Sequence, residues 1–225
     1  MKLYYHPVST TCRPILLFAA ESGIALELEL VDLFKGEHLA ERYCKVNPNG
    51  QVPVLEDGED FRLTESAAIL RYLADTVDSP AYPKDLKKRA RVNEMLDWFN
   101  TGLYRDLGYG FIYPQVLPHL KREDAKVQAA TIAWGRDRSR KWLTILDRNV
   151  LGAQPFLCGE MISLADYFGA ALLTVGEVAH IGYKAWPNVE RWLERMKALP
   201  HWKDVNEGFY TYFVAPYANA TFEAL

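Results

Sequence analysis

Cysteine is scarce in this chain of 225 residues. Cys12, Cys44 and Cys158 are odd in number and widely spaced, which excludes a disulfide framework and a thiolate metal cluster. No C-x-x-C pair occurs, which argues against a dithiol redox enzyme, and no metal is expected. No apolar run approaches the roughly 18 residues of a membrane span. The start MKLYYHP has one Lys and then polar residues, unlike a secretion signal. A reducing cytosol is the expected setting. Excess charge is missing too: the net charge of −3 gives no bulk attraction to nucleic acid or an anionic membrane, so neither is expected as a partner. There are no repeats and no low-complexity segments.

What is present divides in two. Over residues 1–77 the hydrophobic period changes often. KLYYH reads as a strand, PILLFAAESG as a helix closed by Gly23, and ALELELVDL as a period-2 strand with one solvated face. GEHLAERYCKV reads as one short helix, VPVLED and FRLT as a hairpin, and TESAAILRYLADTV as a helix of period 3.6. The order β-α-β-α-β-β-α describes a mixed four-stranded sheet with helices packed on it. DSPAYPKD, residues 78–85, is broken by prolines and reads as a linker. Residues 86–225 carry amphipathic stretches and no convincing strand, so an all-α unit is expected there.

Three stretches could carry chemistry. In QVPVLEDG, Pro53 cannot donate to a sheet ladder, so it sits at an edge or a strand start, or follows a cis bond. A cis bond would turn the Val52 N–H and C=O toward an extended peptide ligand. In LTESAAIL, Thr64 and Glu65 suit a helix start, while Ser66 and the first-turn amides could bind a carboxylate and Glu65 an amine. In PVSTTCRP, Pro14 lacks an N–H and belongs in a first helical turn, which makes Thr11 the expected cap. Ser9 is then left in the loop beside the positive end of the helix. It could act as a nucleophile if His6 served as base, or donate to a bound thiolate. Cys12 would feel the same dipole, yet reads more simply as a buried inert thiol. SLADY is a capping box, with Ser163 and Asp166 in fold roles.

VDLFKGEHLAERYCKVNPNGQVPVLEDGEDFRLTESAAILRYLAD, YPKDLKKRARVNEMLDW and FLCGEMISLADY, in this order, resemble the cytosolic glutathione transferases, most of all the theta class. That resemblance implies a thioredoxin-like glutathione-binding domain over 1–77 and an all-helical domain over 86–225 carrying the acceptor-substrate site. It implies glutathione as co-substrate, a hydrophobic electrophile as second substrate, a homodimer and a cytoplasmic enzyme. Pro53 matches a cis proline, with the Val52 backbone pairing the cysteinyl part of glutathione and Gln51 beside it in the binding set. Glu65 and Ser66 match the pair that binds the γ-glutamyl end, and His38 a residue near the glycyl carboxylate. Ser9-Thr10-Thr11-Cys12-Arg13 reproduces a theta pattern in which the serine stabilises the thiolate. The acceptor pocket would draw on Thr10, Tyr104, Tyr109 and Tyr113. Two alternatives stay open: a glutathione-dependent isomerase, lyase or thiol-exchange enzyme using Cys12, and a non-catalytic interaction protein on the same fold.

Overall fold

Four short strands make one sheet in the order β2-β1-β3-β4, where β1 is Lys2–Tyr5, β2 Glu27–Leu30, β3 Val54–Glu56 and β4 Arg62–Leu63. The computed structural model describes residues 1–225. β1 runs parallel to β2 and antiparallel to β3, and β3 pairs antiparallel with β4. One expectation fails at β2. Both faces are open, with Leu28 and Leu30 at 47% and 52% exposure, because the strand is a sheet edge that pairs only with β1. Glu27 and Glu29 alternate with the leucines and keep that edge charged.

Helix α1 (Arg13–Glu21) links β1 to β2. It ends as the sequence requires: Gly23 has φ 66°, its N–H reaches Ala20 O at 3.3 Å, and the Ile24 N–H reaches Ala19 O at 2.8 Å. GEHLAERYCKV is not one helix. A 3-10 turn, Glu37–Leu39, is followed by α2 (Glu41–Cys44), with Ala40 extended between them. Helix α3 (Ser66–Thr76) buries Ile69, Leu70 and Leu73.

From residue 86 onward the chain is helical. Helix α4 (Leu86–Trp98) starts at Asp85, whose carboxylate accepts from Lys88 N–H. The chain then winds as π turns over Phe99–Leu103 and Arg105–Ile112 before α5 (Tyr113–Val116). Helix α6 (Ala125–Ile145) lies along that π-wound stretch. Their backbones touch at glycines: a Cβ on Gly135 would stand 2.2 Å from Gly110 O. Helix α7 (Leu164–Thr174) is buried at every residue, α8 (Pro187–Lys197) packs across it, and α9 (Trp202–Phe209) returns to α1.

The two parts are not separate droplets. One apolar core runs from Leu3, Phe18 and Leu70 through Phe99 and Phe168 to Trp192 and Phe209. Helix α7 lies directly on α1. This junction positions the site.

Candidate active site

Strand register brings four segments to one end of the sheet. Tyr4 pairs with Val54, and Leu55 with Leu63. The loop after β1, the turn before β3 and the start of α3 follow directly from these paired strands. The Val52-Pro53 bond is cis. Thr11 donates its hydroxyl to Val52 O at 3.3 Å, which ties the loop after β1 to the proline turn. The Val52 N–H has no acceptor within the protein.

Glu65 holds φ 64° and ψ 111° at the start of α3, a conformation that costs a non-glycine residue about 1–3 kcal/mol. Its carboxylate caps nothing and stands exposed. Ser66 is the first helical residue and is 7% exposed, and its hydroxyl bonds to no protein group. The first-turn amides beside it lack intrahelical acceptors. A strained acid, an unengaged hydroxyl and free amides at one helix start are the fittings for a ligand with both an amine and a carboxylate.

Gln51 has its carbonyl anchored by the Tyr43 hydroxyl and by Asn47 Nδ2, both at 2.7 Å, while its side chain faces solvent. Gly50, at φ 60°, packs 3.1 Å from His38 O measured from an added Cβ, so NPNG brings His38 alongside Gln51. His38 Nδ1 is buried without a partner.

The stretch 7–14 corrects one assignment. α1 has Cys12 at its N-cap and no side-chain cap, and it is Ser9, not Thr11, that caps the turn before it: its Oγ accepts from Cys12 N–H at 3.2 Å, and its carbonyl accepts from the Cys12 and Arg13 N–H groups. A separate turn closes over Ser9–Cys12 before Pro14, so the proline rule located α1 but not this turn. Thr11 is thereby free to reach Val52. Because Thr11 donates to a carbonyl, the Ser9 hydroxyl supplies the proton in the 3.2 Å contact between the two oxygens. Ser9 is half-buried and is the open end of that chain. His6 makes no hydrogen bond to the Ser9 hydroxyl. His6 Nδ1 accepts from Val8 N–H at 3.3 Å, and burial pushes its pKa down, so it is neutral at pH 7.

Cys12 is fully buried, and desolvation pushes its thiol pKa up to about 11 despite the nearby Ser9 hydroxyl. A thiol in that state does not attack a disulfide at pH 7. Cys12→Ala should therefore leave turnover unchanged and cost about 1 kcal/mol of stability. Complete loss of turnover in a folded variant would restore the thiol-exchange reading.

Thr10, Tyr104, Tyr109 and Tyr113 meet. Thr10 Oγ1 lies 3.0 Å from the Tyr113 hydroxyl, which lies 2.6 Å from that of Tyr104. Tyr109 stands edge-on to both rings, at 5.5 and 5.1 Å, and is half exposed. Tyr104 and Tyr109 are five apart, one turn of the π winding between them, which brings them to one face. Burial pushes the Tyr113 hydroxyl up to about 12, so it remains a neutral donor. The C-terminal tail straps the same element from outside: Tyr217 donates to Val116 O at 3.1 Å, and Glu223 pairs with Arg136 at 2.9 Å. No three His, Cys, Asp or Glu side chains cluster as metal ligands, and no helix is long and apolar enough to cross a membrane.

This geometry has known counterparts. Residues 1–75 match the family model "Glutathione S-transferase, N-terminal domain", and residues 116–200 match "Glutathione S-transferase, C-terminal domain". The chain is 37% identical to human glutathione S-transferase theta-1 over 208 residues, covering 88% of this chain and 82% of that protein. The chain belongs to the glutathione S-transferase family. It is also similar to human glutathione S-transferase theta-2, at 35% identity over 88% of this chain and 81% of that one. The solved structure of human glutathione transferase theta-2 in complex with glutathione superposes with a TM-score of 0.82 at 32% identity, covering 93% of this chain and 87% of that one. A delta-class glutathione transferase from Nilaparvata lugens gives 0.81 at 35%, covering 94% and 95%. The expected thioredoxin-like unit followed by a helical unit is thus the architecture of this glutathione S-transferase.

Sequence reasoning missed three groups here. Thr11 was read as a cap rather than a link to Val52. Asn206 and Thr174 were not read at all, although both bind the Arg13 guanidinium, at 2.8 and 3.0 Å. Only Arg13 within S-x-x-C-R offered a signal for them.

Proposed function

We propose that this transferase binds glutathione across the end of the sheet, with Ser9 holding its thiolate, and joins the sulfur to a hydrophobic electrophile. The observation that carries this reading is the Ser9–Thr11–Val52 chain at the start of α1: once a ligand takes Val52 O from Thr11, the Thr11 proton turns to Ser9 Oγ and the Ser9 proton is released to the sulfur. Val52 N–H and C=O engage the cysteinyl peptide unit, the latter displacing Thr11. Glu65, Ser66 and the α3 amides take the γ-glutamyl amine and carboxylate. Gln51 and His38, with its unpartnered Nδ1, face the glycyl end. Residues 1–77 form the glutathione-binding unit, residues 78–85 the linker and residues 86–225 the unit with the acceptor site. Thr10, Tyr104, Tyr109 and Tyr113 line that site, which suits a halide, epoxide or enone with an apolar body.

The nucleophile belongs to glutathione, so the protein contributes orientation and a lowered thiol pKa. Sulfur attacks the electrophilic carbon, a C–S bond forms, and the leaving group departs or the acceptor takes a proton. The enzyme is read as a cytoplasmic homodimer, and sedimentation of the purified protein tests its subunit number. A glutathione-consumption screen over halides, epoxides, enones and hydroperoxides tests the reaction. Conjugation of at least one class is expected, together with a melting temperature raised by glutathione. Saturation at about 100 times Kd would add roughly 2.7 kcal/mol. No stabilisation by glutathione would favour the non-catalytic interaction protein.

A further inference from the structure

Arg13 is 1% exposed, and none of its partners is an anion. Nη1 donates to Asn206 Oδ1 at 2.8 Å and to Thr174 Oγ1 at 3.0 Å, and Nη2 donates to Ala171 O at 2.8 Å. The guanidinium carbon lies 3.7 Å over the Phe209 ring, and Nε has no partner. Burial pulls its pKa down to about 10, which still leaves it charged at pH 7. Buried arginines are ordinarily paired with an acid.

The groups around it do not supply one. On its own helix Cys12 is a neutral thiol. Tyr104 and Tyr113 face it from the π-wound stretch and α5, and Tyr210 from the end of α9, all with pKa values raised by burial. Glu177, after α7, is the carboxylate nearest in influence, and Lys197 Nζ already holds it at 2.6 Å. His6, beside Ser9 at the end of β1, is neutral. One uncompensated positive charge therefore sits at the junction of the two units. Its backbone is one turn from Ser9, whose carbonyl accepts the Arg13 N–H at 3.2 Å, and its charge acts on the Cys12 thiol and on the Tyr113 hydroxyl, 3.0 Å from Thr10 Oγ1. The positive end of α1 adds to it.

We propose that Arg13 is a positioning residue for the reaction: its guanidinium, fixed by neutral groups, is the built-in countercharge of the glutathione thiolate formed beside Ser9. This rests on the assignment of Ser9 made above. The step is loss of the thiol proton to solvent; the S–H bond breaks, and no bond to Arg13 forms. Thr174, Asn206 and Ala171 serve by holding the cation without cancelling it.

The decisive variant is Asn206→Asp. It keeps the size and the contact with Nη1 and gives Arg13 a carboxylate, at the cost of the Nδ2 donation to Trp202 O at 2.8 Å. The thiolate absorbance of bound glutathione is titrated in wild type, in Asn206→Asp and in Arg13→Gln. Asn206→Asp should raise the bound thiol's apparent pKa by about one unit, a tenfold loss of thiolate on the acid side. Arg13→Gln should move it in the same direction. A purely structural arginine would leave the Asn206→Asp titration where it was, since the new ion pair retains the bridge. An unmoved titration in folded, glutathione-bound Asn206→Asp overturns the proposal even if Arg13→Gln fails to fold. If wild type binds no glutathione, the Ser9 assignment falls and takes the Arg13 proposal with it.

Discussion

Ser9→Ala should lower turnover at pH 7 about 100-fold, the usual effect of removing one hydrogen bond to a developing anion. Glutathione affinity should change little, because the contacts proposed for Val52, Glu65 and Ser66 do not involve the Ser9 hydroxyl. Without the Ser9 hydroxyl the bound thiol titrates closer to the free value of about 8.5, so the loss should shrink as pH rises toward 9. The structure adds a second consequence. Ser9 also caps the Cys12 N–H, so the variant should lose about 1 kcal/mol and melt about 2–4 °C lower. A full pH–rate profile with a melting curve separates the two effects. Wild-type turnover at pH 7 in the alanine variant would remove Ser9 from the chemistry.

Asp166→Asn should produce the largest loss of stability among these substitutions. The carboxylate is fully buried and accepts four hydrogen bonds. Ser163 N–H and Oγ–H reach Oδ2 at 2.8 and 2.7 Å, while Leu157 N–H and Trp192 Nε1–H reach Oδ1 at 2.8 and 2.9 Å. Both oxygens thus face two donors each. An amide in either orientation turns its own N–H groups against one of those pairs. Burial pushes the Asp166 pKa up, and the four donors that asparagine would disrupt oppose that rise. The expected cost is about 3 kcal/mol. For a chain of this size that is a melting temperature lower by about 6–12 °C. Calorimetry reads it directly, and a drop of less than about 2 °C would mean the box is not a structural node.

Local rules were legible where a residue's constraint is satisfied within a few positions. Gly23 closes α1, Ser163 and Asp166 open α7, and Pro53 marks the turn before β3. Ser9 was singled out by its resemblance to a theta pattern, yet its bond to the Cys12 N–H was missed because Pro14 permits a closed turn ahead of the helix proper. The π turns were invisible for another reason. A hydrophobic pattern read at 3.6 residues per turn sets Tyr104 and Tyr109 on different faces, whereas the wider winding brings them together. Arg13 was the least legible, because its partners Ala171, Thr174 and Asn206 lie more than 150 positions away. Helix α9, which carries Asn206, and the tail beyond it gave only an aromatic bias.

The core shared by the two units bears on how the molecule comes apart. All six tryptophans lie between Trp98 and Trp202, so the sheet has no emitter of its own. Were the units independent, indole fluorescence would be blind to loss of the sheet. With α7 and α9 seated on α1 and Arg13 tied to α9, melting the first unit uncovers α9, which begins at the buried Trp202. Fluorescence and circular dichroism should then trace a single coincident transition, the signature of one cooperative unit.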